Sequence, residues 1–132
     1  MTLLLATTSA DKLLEIQLVL AGLDVEWLTL ADLPAIPEPD ETGATFWENA
    51  RQKALAYSQA SGVVAVAEDS GLAIEALGGE PGVRSARFLG AGASYPERFD
   101  EIFRRLAATP GATRDARFVT ALAVADGATL IF

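Results

Sequence analysis

Residues 45–71 read TFWENARQKALAYSQASGVVAVAEDSG, and this stretch predicts a helix that leads into a buried strand. Thr45 and Glu48 have the spacing of a capping box, in which each side chain accepts a hydrogen bond from the other residue's backbone N–H, so a helix begins here. Gly62 ends the helix, because glycine readily adopts the left-handed conformation that closes many helices. The apolar residues 63–67 then predict a buried strand.

Further strands and helices are predicted on both sides of this pair. Strands are predicted at residues 3–7, 25–30, 72–77, 116–125 and 128–132, and helices at residues 12–21 and 94–108. Residues 31–43 hold three prolines among several acidic residues, which predicts an acidic loop, and residues 68–71 predict a turn. The alternation of strands and helices predicts a single α/β domain over residues 1–132, with a mixed sheet flanked by helices.

The composition limits which chemistry the chain supports. Its 132 residues are 51% hydrophobic, which is enough to bury a core. The 10 Lys and Arg residues against 18 Asp and Glu residues give a net charge of −8, which disfavours a nucleic acid or an anionic membrane as partner. Cysteine and histidine are absent, so a bound metal would be a hard cation on oxygen ligands, Mg²⁺ or else Mn²⁺.

The two ends of the chain carry weaker signals. The first residues lack the basic flank of a signal peptide, and no stretch reaches the length of a membrane span, so we expect a cytoplasmic location. Residues 129–132 are apolar and predict a strand with an exposed edge, where a second copy of the chain could bind. We therefore expect a homodimer.

A possible anion site lies at residues 7–12, TTSADK, where the first strand passes directly into a helix. The hydroxyls of Thr7, Thr8 and Ser9 surround the free backbone N–H groups of the helix start, and Lys12 adds a positive charge in the first turn. This pattern is neither a Walker A loop nor a GxGxxG loop. An ordinary helix cap with a solvated lysine is the simpler interpretation of the pattern alone.

Two carboxylates form a second group of candidates. Glu41 lies in the acidic loop, and Asp69 follows a buried strand at its carboxyl end, where ligands of open α/β sheets collect. Together they have the ligand type for Mg²⁺, and Lys53 on the intervening helix could meet a phosphate. A solvated acidic loop, a turn aspartate and a surface lysine are the alternatives that the pattern leaves open.

Taken together, these segments resemble the Ham1, or inosine triphosphate pyrophosphatase, family. The matching segments agree with the family in order and spacing over residues 3–122. They are Ala6-Thr7 with Lys12 and Glu15; residues 41–54, ETGATFWENARQKA; residues 69–72, DSGL; residues 77–87, LGGEPGVRSAR; and residues 116–118, ARF. Each segment has low specificity, but the combination is highly specific.

The resemblance implies a Mg²⁺-dependent hydrolase that converts ITP, dITP or XTP to the monophosphate and pyrophosphate. It implies substrate contacts at Thr7, Thr8, Ser9, Lys12, Lys53 and Ser70, and metal ligands at Glu41 and Asp69. It also implies that Asp69 is the proton acceptor.

Members of the family continue past the position of Phe132 with segments that form the base pocket. We therefore expect this chain to be the phosphate- and metal-binding part of a truncated domain. A Maf-like pyrophosphatase is a second enzyme hypothesis, although the motifs are of the Ham1 type. A module that binds a nucleotide or a partner chain without catalysis is the alternative from a different class.

Overall fold

The structure, a computed structural model, describes residues 1–132. The regular elements are β1 (Thr2–Leu5), α1 (Ala10–Leu20), β2 (Glu26–Thr29), α2 (Phe46–Ser61), β3 (Val64–Ile74), α3 (Tyr95–Ala108), β4 (Ala116–Asp126) and β5 (Thr129–Leu130). The five strands form one sheet in the order β2-β1-β3-β4-β5. Strand β1 pairs in parallel with β2 and β3, whereas β4 and β5 are antiparallel, so the predicted mixed α/β fold is confirmed.

Contacts group the residues into two compact units. Unit 1 holds residues 1–69 and 121–132, and unit 2 holds residues 70–120. The single-domain organisation stays a prediction. None of the helices is both long and apolar enough to cross a membrane.

The core of unit 1 lies between α2 and the sheet. Small side chains face each other there, Ala50 and Ala54 from the helix and Ala65 and Ala67 from β3, and all four are at most 2% exposed. Side chains alternate between the two faces of a strand, so Asp69 lies on the same face as these alanines and is also buried. The packing of α2 therefore places the aspartate beside the helix.

Ser58 joins the end of α2 to the hairpin of unit 1. Its hydroxyl donates to the carbonyl oxygen of Val63 and accepts from the backbone N–H of Gly127, both at 2.8 Å. The residue is fully buried, so these two bonds satisfy a polar group that has no access to water.

Helix α1 contrasts with α2, because none of its residues is buried. A cleft of about 360 Å³ lies beside it, lined mainly by apolar side chains of α1 and of the neighbouring strands. Leu14, Leu18 and Val19 are more than half exposed. Little apolar burial therefore holds this helix in place.

The predicted turn at residues 68–71 and the separate strand at residues 72–77 are wrong. Strand β3 runs without interruption from Val64 to Ile74, and a short 3₁₀ helix follows at Glu75–Leu77. Gly71 serves a close approach within unit 2, since a Cβ atom there would lie 2.6 Å from the carbonyl oxygen of Gly82. Glycine inside a strand often marks such an approach and not a turn.

Unit 2 contains α3 and its supports. The helix begins with the predicted capping box of Ser94 and Glu97. Near its end, Arg105 forms ion pairs with Glu101, one turn earlier, and with Glu80. These contacts tie α3 to the loop that follows β3.

Candidate active site

Helix α2 presents Asn49 and Lys53 on one face, because residues four positions apart lie one turn apart. The start of the helix is fixed by the predicted capping box. The Thr45 hydroxyl accepts from the backbone N–H of Glu48 at 3.1 Å, and the Glu48 carboxylate accepts from Ala44 and Thr45. This cap therefore sets where the acidic loop ends and where the two site residues project.

The Lys53 ammonium lies between the two predicted metal ligands. Its Nζ is 2.8 Å from Oε1 of Glu41 and 3.8 Å from Oδ1 of Asp69. The lysine side chain is only 12% exposed, so water weakens this attraction less than it would at the surface. The structure thus brings Glu41, Lys53 and Asp69 together, although they lie far apart in the sequence.

The second oxygen of Asp69 bonds to Asn49. The Asn49 Nδ2 donates to Oδ2 of Asp69 at 3.0 Å, and its Oδ1 accepts from the backbone N–H of Gly43 at 2.7 Å. Asn49 is fully buried and Asp69 is 6% exposed. The amide therefore links β3, α2 and the acidic loop inside unit 1.

Lys12 approaches the neighbouring residue of β3. Its Nζ lies 2.6 Å from Oε1 of Glu68, whose side chain points to the opposite face of the sheet from Asp69. Leu5, the last residue of β1, pairs with Val66, so Glu68 and Asp69 lie just past the carboxyl end of β1. This is the edge of a parallel sheet where ligands collect.

The hydroxyls before α1 already have partners. Ser9 is the N-cap and accepts from the backbone N–H of Lys12 at 3.4 Å, while Thr7 accepts from that of Ser9 at 3.2 Å. Thr8 donates to Glu38 at 3.2 Å, which ties this turn to the acidic loop. The predicted cap is present, and its role as an anion site stays a prediction.

Ser70, the remaining predicted substrate contact, follows Asp69 in β3 and belongs to unit 2. Its role as a substrate contact stays a prediction.

The donor set fits Mg²⁺ or Mn²⁺ by its chemistry. Nowhere do three or more acidic side chains cluster with the spacing of an all-protein metal site. Mg²⁺ usually binds through one or two carboxylates together with substrate phosphates and water, so two carboxylates suffice. Glu41 and Asp69 already share one positive charge, that of Lys53, and would be the protein ligands of the metal.

The charge of unit 1 makes its lysines conspicuous. Only Lys12, Arg51 and Lys53 are basic, against twelve acidic residues, and Lys12 and Lys53 pair with the adjacent carboxylates of Glu68 and Asp69. The negative field also reaches Tyr57 on α2. Burial raises the pKa of the Tyr57 hydroxyl, and the charges of Glu38 and Glu41 raise it further.

Asn49 and Glu68 were not predicted as site residues. Helical spacing places Asn49 on the same face as Lys53, but it does not reveal that the amide bonds to Asp69 and Gly43. Glu68 could be recognised from the sequence only as a further carboxylate near the proposed metal ligands. Its pairing with Lys12 depends on how the first helix lies against the sheet.

Comparison with known proteins identifies the family. The sequence model of the Ham1 family matches residues 3–132, and the chain belongs to this family. The resemblance found in the motifs is thereby confirmed.

Two relatives illustrate the similarity. The dITP/XTP pyrophosphatase of Anaeromyxobacter sp. (strain Fw109-5) is 39% identical over an alignment of 153 residues including gaps. The alignment covers 95% of this chain and 66% of that protein. The dITP/XTP pyrophosphatase of Symbiobacterium thermophilum is 45% identical over 122 residues, covering 92% of this chain and 60% of that protein. The chain spans between 57% and 66% of the length of eight curated relatives that it matches.

Solved structures share the fold. A HAM1 protein from Coxiella burnetii superposes with a TM-score of 0.90 at 34% identity, covering 97% of this chain and 64% of that one. A dITP/XTP pyrophosphatase from Mycobacterium abscessus gives a TM-score of 0.80 at 38% identity, covering 96% and 66%. The mixed sheet flanked by helices is therefore the Ham1 arrangement.

Proposed function

We propose that this chain carries the phosphate- and metal-binding site of a nucleoside triphosphate pyrophosphohydrolase. Its substrates would be non-canonical purine nucleotides such as ITP, dITP and XTP, and its products the monophosphate and pyrophosphate. The similarity to proteins named dITP/XTP pyrophosphatase supports the substrate class. The protein would be a homodimer in the cytoplasm, and its charge of −8 disfavours nucleic acid as a ligand.

One observation carries the proposal. Glu41 and Asp69 flank the Lys53 ammonium at 2.8 and 3.8 Å, and Glu68, which precedes Asp69 in β3 and points to the other face of the sheet, is paired with a second lysine, Lys12. A triphosphate would be repelled by so acidic a protein unless positive charge were concentrated where it binds. The two lysines and a divalent cation supply that charge.

The residues then have distinct roles. Lys12 and Lys53 hold the phosphates, with help from the turn at Thr7, Thr8 and Ser9 and from Ser70. Glu41 and Asp69 hold Mg²⁺, which when bound neutralises phosphate charge and makes water more acidic.

Asp69 also takes part in the bond change. A water molecule attacks the α-phosphorus, and Oδ1 of Asp69 accepts its proton. The bond from the α-phosphorus to the oxygen that bridges to the β-phosphorus breaks, and pyrophosphate leaves. No histidine is needed for this sequence, since a carboxylate serves as the base.

The proposal predicts that Asp69→Asn lowers hydrolysis by roughly 10²–10⁴-fold, because the amide neither accepts the proton nor carries the charge that binds the metal. Pyrophosphate release from dITP and XTP with Mg²⁺ is the measurement. Asp24→Asn, an exposed carboxylate of the same unit, should retain full activity. Near-normal turnover by Asp69→Asn would contradict the role of Asp69 as proton acceptor and metal ligand. If the unchanged protein binds nucleotide but does not hydrolyse it, the alternative of a binding module without catalysis is favoured.

A further inference from the structure

The Asn49 amide has one orientation that satisfies its surroundings. A carboxylate oxygen of Asp69 lies on one side of it and the backbone N–H of Gly43 on the other. A carboxylate only accepts and an N–H only donates, so the NH₂ group must face Asp69 and the carbonyl oxygen must face Gly43. The reversed amide would place two acceptors together and two donors together, and the Asn49 side chain is fully buried, so water could not satisfy its own groups.

In this orientation the two oxygens of Asp69 have different partners. Oδ2 is held by Asn49 at 3.0 Å, while Oδ1 faces the Lys53 ammonium at 3.8 Å. Rotation of the carboxylate would break the charge-assisted bond to the amide. Asn49 therefore fixes the orientation of the Asp69 carboxylate, with one oxygen on the amide and the other turned toward the lysine.

The same amide also fixes the acidic loop. Gly43 lies two residues after Glu41, and its N–H bonds to Asn49 at 2.7 Å. The loop approaches so closely that a Cβ atom at Gly43 would lie 2.6 Å from Oδ1 of Asn49. Only one residue separates Glu41 from Gly43. The contact between Gly43 and Asn49 therefore restricts where Glu41 can lie relative to Lys53.

We propose that Asn49 is a positioning residue of the active site. Its amide turns Oδ1 of Asp69 toward the proposed metal and the reacting water, and it holds, through Gly43, the loop that carries Glu41. This inference rests on the proposed function. It adds a buried side chain that touches neither substrate nor metal but orients both carboxylates.

The test compares Asn49→Leu, which has a similar volume but no hydrogen-bonding group, with the unchanged protein. Mn²⁺ is the probe, since it takes the same oxygen ligands as Mg²⁺, and calorimetry measures its affinity without nucleotide. Removing a group that orients a metal ligand typically costs 10–100-fold in metal affinity or activity. We expect losses of about 10–100-fold in both Mn²⁺ affinity and kcat for dITP, with a smaller change in KM.

Ser58→Ala is the matched control. Ser58 is also fully buried on α2 and also makes two hydrogen bonds, but its partners are Val63 and Gly127. We expect a lower melting temperature for this variant, with Mn²⁺ affinity and kcat close to those of the unchanged protein. If Asn49→Leu does not fold, Asn49→Ser takes its place, because the shorter side chain does not reach Asp69.

Each result decides the inference. Unchanged Mn²⁺ affinity in the Asn49 variant would overturn it, as would equal losses in the Asn49 and Ser58 variants, which would reflect stability alone. Failure of the unchanged protein to bind Mn²⁺ would overturn it as well. Weakened Mn²⁺ binding in a protein that does not hydrolyse dITP would support the positioning role and overturn the proposed function.

Discussion

At the scale of single residues, Lys53 contacts the two carboxylates that we propose as ligands of the metal ion. Its ammonium is 2.8 Å from Glu41 and 3.8 Å from Asp69, so a divalent cation that binds both groups competes with it. The lysine thus compensates the buried charge of Asp69 and the half-buried charge of Glu41 until a ligand arrives, which limits the cost of withdrawing them from water.

We predict that Lys53→Met strengthens Mn²⁺ binding measured without nucleotide, because the competing ammonium is gone. A hydrogen bond to a charged group contributes about 1.5–3 kcal/mol, which corresponds to roughly tenfold or more in affinity. Calorimetry with Mn²⁺ alone measures the change, and Arg51→Met, an exposed cation on the same helix, should leave the affinity as it was. Weaker Mn²⁺ binding by Lys53→Met would show that the lysine does not occupy the cation position.

At the scale of elements, the features predicted correctly are those with local causes. The capping box of Thr45 and Glu48 and that of Ser94 and Glu97 start helices where they were predicted, because each box is complete within four residues. The continuous β3 was missed because its cause is not local. Gly71 faces a carbonyl eleven residues further along the chain, which the strand's own sequence does not reveal.

A substitution at Gly71 tests this interpretation of β3. We predict that Gly71→Ala lowers the free energy of unfolding by about 1–3 kcal/mol, the usual range for overpacking, because the new Cβ atom meets the carbonyl oxygen of Gly82. Gly92→Ala is the control, since no atom lies within 4 Å of its Cβ position. Urea unfolding measures both, and equal stability of the two variants would mean that Gly71 has room for a side chain.

The residues of the candidate site likewise fall into those that the sequence predicts and those that depend on the fold. Glu41, Lys53 and Asp69 could be selected from the sequence because their residue types and the family motifs point to phosphate and metal chemistry. Asn49 could not be assigned a role, because its partners lie six residues before it and twenty after it in the sequence. Only the packing of α2 on β3 shows that its amide joins them.

At the scale of the whole molecule, ionisable groups set the pH range of stability. Hydrogen bonds from Arg104 and Arg105 lower the pKa of Glu101 to about 2 from its ordinary value of 4.5. The carboxylate therefore contributes stability above about pH 4.5, and this contribution is lost as the pH falls toward 2. Tyr57 affects stability at alkaline pH. Its pKa in the folded protein is raised above the ordinary value of 10, so the unfolded chain loses its proton first and stability falls as the pH rises beyond 10.

We predict that the free energy of unfolding falls between pH 4.5 and pH 2, and that Glu101→Gln makes this fall shallower. Urea unfolding at a series of pH values measures both curves. Identical slopes for the variant and the unchanged protein would show that other carboxylates control acid unfolding.

Helix α1, which buries none of its side chains, has a consequence for motion. Local opening is easiest where few apolar contacts must be broken, so the amide protons of α1 should exchange with solvent sooner than those of α2. Lys12 travels with this helix, and only its bond to Glu68 restrains the charged end of its side chain. A nucleotide that binds Lys12 would therefore reduce the fluctuations of α1. The conformational entropy that the helix loses would lower the affinity for the nucleotide.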